Sequence, residues 1–232
     1  MIVILAGCED ELAKFLVARW FAFGAELLTP KDLSASGWRH HQPTINGDTA
    51  VINGRKVPIG DIAGVLSRLP WVCEEELVHI VPRDRSYVAS EITAFLLSWL
   101  SGLNCPVLNR PTPTCLSGPG WRPERWVHLA ARLGIPVCPA RRRCQRQVDD
   151  SRALVADPYT TVSVICEHCI GSSDPCQVDY AKRLSAATGV DLLAVHFSQA
   201  NGMLLGADTW PDVSSAHAAD AILEYFSGIP TC

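Results

Sequence analysis

Arginines at the ends of apolar runs are the first residues with chemical potential. Arg68 closes the run Val65–Leu69, and Asn109-Arg110-Pro111 follow the run Pro106–Leu108. Parallel strands of an open α/β sheet end on one edge, and ligands bind in the crevice beside it. A guanidinium suits two-pronged recognition of a carboxylate or phosphate. The competing reading pairs each arginine with a nearby acid, for example Glu91 on the next helix. Arg68, Glu91, Asn109 and Arg110 form the candidate ligand-binding set.

The second group is Cys166-Glu167-His168-Cys169, with Cys176 close behind. A structural zinc site usually takes a second ligand pair at similar spacing, and none is present. A strand over this segment would turn 166 and 168 to one side and 169 to the other. A thioredoxin-type motif opens a helix, whereas Gly171-Ser172-Ser173 follows here. Cys166, Cys169, Cys176 and His168 therefore support only a minor alternative, a Cys/His metal-binding or thiol enzyme, and no metal is expected. Neither G-x-x-x-x-G-K-[ST] nor G-x-G-x-x-G occurs. Leu116–Gly120 reads as a rigid surface loop. Glu9, Asp10 and Glu11 would repel a phosphate at the first strand–helix turn, so helix capping is their expected role. His40-His41 reads as an exposed polar tip, and His196 as a core or sheet-face histidine.

The elements that must hold these residues emerge from hydrophobic patterning. The chain has 232 residues, 48% hydrophobic and 19% charged, enough for a sizeable core. A net charge of −4 argues against a general nucleic-acid binder, and arginine far outnumbers lysine, the residue that phosphate chemistry often wants. The ten cysteines read as reduced, mostly buried thiols. No export signal is visible, and the apolar stretch Ile92–Leu103 is too short to span a bilayer. The expectation is a cytoplasmic protein with neither a nucleic-acid nor a membrane partner.

Ile2–Ala6, a helix carrying Leu12, Phe15, Leu16, Trp20 and Phe23, and Ala25–Thr29 read as a β-α-β opening, which predicts a parallel sheet. A hairpin is expected at Ala50–Ile59 around Asn53-Gly54. The longest helix is Arg83–Leu103. Pro123–Leu133 is a helix, Ile135–Val137 a strand, and 141–157 a charged linker. Thereafter come a strand at Thr160–Cys166, a helix at Pro175–Thr188, a hairpin at Asp191–Ser198 and Met203–Ala207, and a closing helix at Ser214–Phe226. That helix turns Ala218, Ala221, Ile222 and Tyr225 inward. The fold class is α/β: an N-terminal parallel-sheet domain over 1–140, the linker 141–157, and a small C-terminal α+β unit over 158–232.

The order of several motifs resembles the ATP-grasp ligases, most of all the branch with the ribosomal-protein glutamate ligases and microviridin-type peptide ligases. The motifs are Leu66-Ser67-Arg68-Leu69-Pro70, Arg85–Glu91, Pro106–Pro111 and Leu133–Val137. Gly189–Phe197 resembles the family's G-x-D-L-x-x-V-D-F strand, and Leu205–Pro211 its L-E-V-N-x-x-P strand. The resemblance implies a pre-ATP-grasp-like N-terminal domain and a C-terminal unit like the end of an ATP-grasp domain. It also implies magnesium ligands on those two strands. There His196 replaces aspartate, Gly206 replaces glutamate and Asp208 stands at the asparagine position, so these are degenerate metal positions. The central nucleotide lobe is missing, with 141–157 in its place.

These departures from the family pattern imply a truncated pseudoenzyme, related to pathways that modify ribosomally made peptides, or amino acids, and needing no cofactor. Its partner would be a peptide, a small carboxylate or a partner enzyme, bound near Arg68, Asn109 and Arg110. A homodimer anchored by an exposed Trp38 or Trp121 is a further expectation. Catalysis stays open: the alternative is an ATP-dependent carboxylate–amine ligase in which Arg141, Arg142, Arg143 or Arg146 replace the lost lysines.

Overall fold

A computed structural model describes residues 1–43, 45, 47–139 and 158–228. The charged segment 141–157, with Arg141, Arg142, Arg143 and Arg146, lies outside the described residues. The chain divides into two compact units, one formed by Met1–Gly120 with the stretch from Val213 on, the other by Trp121–Asp212. The division differs from the boundary expected at residue 140, because the helix after Trp121 groups with the second unit and the closing helix with the first.

The first unit is built on a parallel sheet of β1 (Ile2–Leu5), β2 (Ala25–Leu28), β5 (Gly64–Ser67) and β6 (Val107–Leu108), in the order β2-β1-β5-β6. Leu5 lies beside both Leu28 and Ser67 in register, so the strands end on one edge. Helix α1 (Glu11–Arg19) connects β1 to β2, as the β-α-β pattern requires. Asp10 starts it, its Oδ1 accepting from the Ala13 N–H at 2.9 Å. Only part of the expected apolar stripe is inward. Leu16 and Trp20 are buried, but Phe15 is 41% and Phe23 56% exposed. Trp20 already ends the helix and Phe23 sits in the tight turn before Gly24, off the helical face.

β3 (Thr49–Ile52) and β4 (Arg55–Pro58) make the expected hairpin, with Asn53 and Gly54 both at positive φ. Helix α2 (Arg85–Gly102) lays Leu96, Trp99 and Leu100 into one core with Val3, Leu5, Val65 and Val107. On the opposite sheet face, helix α5 (Ala216–Ser227) brings Phe226 against Gly64. Ser215 caps α5 by accepting from Ala218 N–H. Asp220 of α5 receives two hydrogen bonds from Arg19 Nη2, at 2.7 and 2.9 Å. Phe226, not the 38% exposed Tyr225, completes the inward face.

The second unit is an antiparallel sheet of β7 (Tyr159–Ile165), β8 (His168–Ile170), β9 (Leu192–Ser198) and β10 (Leu204–Asp208), in the order β10-β9-β7-β8. Helices α3 (Pro123–Arg132) and α4 (Pro175–Thr188) share a core with alternate residues of these strands, among them Trp126, Leu184, Val162, Val195 and Phe197. The expected strand at Ile135–Val137 is reduced to one bridge, Val137 to Leu204. No described helix is long and apolar enough to cross a membrane.

Candidate functional site

At the ends of β1 and β5, Arg68 N–H donates to Leu5 O at 2.8 Å, which fixes where its side chain leaves the sheet. Its partner is not Glu91, which is exposed on α2. Arg68 Nε donates to Asp10 Oδ2 at 2.9 Å, and both side chains are largely buried. Asp10 thus caps α1 and holds the arginine. The capping role is legible in the sequence; the pair is not, because β1 and β5 become neighbours only in the folded sheet.

Asn109 is buried and its Nδ2 donates to Ser117 O at 3.3 Å. Arg110 is exposed and its Nη2 donates to Cys105 O at 3.4 Å. The loop expected at the surface is instead tucked in: Cys115, Leu116 and Ser117 are buried, and Leu116 N–H donates to Pro70 O. The two neighbours therefore diverge, Asn109 holding that loop and Arg110 facing outward.

Glu76 is a site residue that sequence reading missed. Its Oε2 accepts from Cys8 N–H at 3.2 Å and from the Cys8 thiol at 3.3 Å. Burial pushes the Cys8 thiol pKa up, and the Glu76 carboxylate raises it further.

In the second unit, His196 and Gly206 lie opposite one another on β9 and β10. His196 Nε2 and Asp208 Oδ2 are 2.8 Å apart, and His196 Nδ1 is 3.0 Å from Thr161 Oγ1. A carboxylate only accepts, so Nε2 carries the proton toward Asp208, and a neutral ring then accepts from Thr161 at Nδ1. The other Asp208 oxygen accepts from Trp210 N–H at 2.8 Å. The Tyr159 ring stands edge-on to the imidazole. Thr161 carries no sequence signal; it reaches His196 because β7 and β9 place the two residues in register.

The divalent ion implied by the resemblance does not fit this set. Magnesium wants about six oxygen ligands in octahedral array. His196 offers nitrogen, Gly206 offers no side chain, and the Asp208 carboxylate is already engaged on both oxygens.

Cys166 and Glu167 form the tight turn between β7 and β8, with Cys166 at φ 53°, so Cys166 is not in a strand as expected. Cys169 pairs with Val164 across the hairpin, and Cys176 is exposed on the first turn of α4. Burial pushes the Cys166 thiol up to about 12, with repulsion from Asp191 and Glu167 adding to it. Among the described residues no three His, Cys, Asp or Glu side chains group closely enough to hold a metal ion.

Of the histidine pair, His41 is exposed as expected, whereas His40 is half-buried. His40 packs on Phe95 and bonds Ser98, and His41 Nδ1 meets the fully buried Asp48 at 2.5 Å. Nor are the tryptophans free anchors. Trp38 stacks edge-on against Phe95 and Trp99, and Trp121 lies between Trp126 and the Arg125 guanidinium.

No family model matches the sequence, and no curated protein matches it. Solved structures do. The macrocyclase MdnC of Microcystis aeruginosa MRC, bound with precursor peptide MdnA, aligns over 98% of this chain and 99% of its own at 10% identity, TM-score 0.68. A RiPP-associated ATP-grasp ligase of Chryseobacterium gregarium, in complex with ADP and a leader and core peptide, aligns over 99% and 97% at 12% identity, TM-score 0.65. An ATP-grasp RimK domain protein of Sphaerobacter thermophilus aligns over 98% and 100% at 14% identity, TM-score 0.55. The chain has an ATP-grasp ligase-like fold of mixed parallel and antiparallel sheets.

Proposed function

We propose that this chain is a non-catalytic ATP-grasp-like protein that binds a peptide or a partner enzyme in a peptide-modification pathway. The observation that carries this reading is the closed contact between His196 and Asp208. Phosphoryl transfer depends on positioned cations facing the charge that develops on the phosphates. A strand pair that offers one engaged carboxylate is poorly equipped to seat them. Residues 140–157 contain none of the lysines that the resemblance implies for a nucleotide lobe. The peptide partner rests on two of the similar structures, which are bound with a precursor peptide or with a leader and core peptide. The sheet edge with Arg68, Asn109 and Arg110 is the proposed contact surface.

The test is a thermal melt of the full chain with magnesium ATP, paired with an ADP-release assay over amino acids and short peptides. The expected result is an unshifted melt and no ADP. A shift of several degrees, with ADP release that depends on an acceptor, would establish the carboxylate–amine ligase instead. That second reading is favoured by a likeness that runs over nearly the whole chain.

A further inference from the structure

The turn after β1 is already occupied. Glu76, 68 positions away in sequence, places one carboxylate oxygen on both the N–H and the thiol of Cys8. Its other oxygen lies where a Cβ on residue 7 would be, so the approach requires Gly7. Two cations face the three acids of this turn, and Lys14 is shared, 2.8 Å from Glu11. Asp10 is held by Arg68, and Glu9 by Lys14 at 3.4 Å. Glu76 belongs to a one-turn segment, Glu74–Glu76, whose backbone is anchored by the fully buried Leu77. The anchor is Leu77 and not the Glu76 side chain, whose contacts in the turn are those to Gly7 and Cys8. Beside this turn, at the end of β5, the Ser67 hydroxyl is buried with no hydrogen-bond partner among the described residues.

We propose that the turn Gly7–Asp10 is a binding seat for a ligand carboxylate, which Glu76 fills from within the chain until that ligand displaces it. The seat rests on the proposed function only in its placement on the same sheet edge. A single carboxylate matches one backbone N–H and one thiol donor; a phosphate, with more charge and more acceptor oxygens, does not. The carboxylate could belong to an acidic side chain or to a peptide C-terminus, and the chemistry of recognition is the same.

Glu76→Ala in the full chain removes the occupant, and acetate replaces the deleted fragment. The expected result is a saturable acetate-dependent shift of the Cys8 amide resonance in Glu76→Ala, with no shift from acetamide and none in the wild type at the same concentration. Two peptides separate the sources: acetyl-Gly-Glu-Gly-amide, and acetyl-Gly-Gly-Gly with a free carboxyl. The one that supplies the matching carboxylate binds Glu76→Ala about tenfold tighter than wild type, because it no longer competes with the built-in group. An unmoved Cys8 amide, or equal responses to acetate and acetamide, overturns the seat. If Glu76→Ala does not fold, Glu76→Gln keeps the side-chain length and removes the charge. Acetate should then move Cys8 at a lower concentration than in wild type, and no movement again overturns the proposal. An acetate response in a protein that also releases ADP keeps the seat and removes the non-catalytic reading, so the two fail separately.

Discussion

His196 donates to Asp208 across the strand pair β9–β10, 2.8 Å from Nε2 to Oδ2, and this contact closes the only carboxylate at the three positions 196, 206 and 208. The pairing of β9 and β10 shifts register between Leu204 and Gly206, yet there is room for a side chain at 206. The nearest atom that a Cβ on Gly206 would meet is Pro123 Cβ at 3.8 Å, an ordinary contact. The double variant His196→Asp/Gly206→Glu should therefore fold and gather three carboxylates on neighbouring strands. Their mutual repulsion lowers its stability without cation, and millimolar magnesium raises its melting temperature by about 3 °C. The wild type should not respond. A magnesium-insensitive double variant would show that the strand geometry, and not the residue identities, is unsuited to the ion.

Asp48 gives the fold a dependence on acid. Burial raises its pKa, but hydrogen bonds from the His41 ring and from the Ile45 and His41 N–H groups outweigh this, so its carboxyl is held below the usual value of 3.8. A carboxyl depressed in the folded state adds stability above its unfolded pKa, and that stability is lost as pH falls through the folded value. Urea melts from pH 6 down to about pH 2 should show a steeper loss for wild type than for Asp48→Asn, the curves converging at the acid end. Parallel curves would remove Asp48 from the account.

Gly64 is required by packing. A Cβ there would overlap the Phe226 ring, with Cγ at 2.7 Å. Gly64→Ala should cost about 2 kcal/mol through overpacking. Combined with Phe226→Leu, the loss should be less than additive by about 1 kcal/mol in denaturant melts. Strict additivity would mean that the strain is relieved elsewhere.

Thiol chemistry should separate Cys166 from Cys176. With its pKa pushed up to about 12, Cys166 carries almost no thiolate at pH 8, whereas Cys176 is exposed. Iodoacetamide followed by peptide mass spectrometry should label Cys176 first and leave Cys166 largely unmodified in the folded chain. Equal labelling rates would contradict the burial of Cys166.

Local chemistry makes much of this fold readable. Helix α4 begins and ends where the sequence places it, because Pro175 opens its first turn and Gly189 closes it in the left-handed conformation. Asn53-Gly54 marks its hairpin and Ser215 its helix cap for equally local reasons. The site is less legible. Arg68 stands out by its position at a strand end, but its partner Asp10 is 58 residues away and becomes a neighbour only through the β2-β1-β5 order. Phe15, Phe23 and Tyr225 fit helical spacing yet stay exposed, since periodicity counts residues and cannot tell where a helix stops or how wide its buried stripe is. Cys166 continues an apolar, β-branched run, and nothing in that run announces the turn it makes.

The division of the chain sets an order of assembly. Residues 121–212 form one uninterrupted unit, whereas the parallel-sheet unit needs a stretch from beyond residue 213, whose Asp220 and Phe226 meet Arg19 and Gly64. On a ribosome, the segment made later can therefore finish folding first. The sheet face at Gly64 stays uncovered until α5, with Phe226, has emerged.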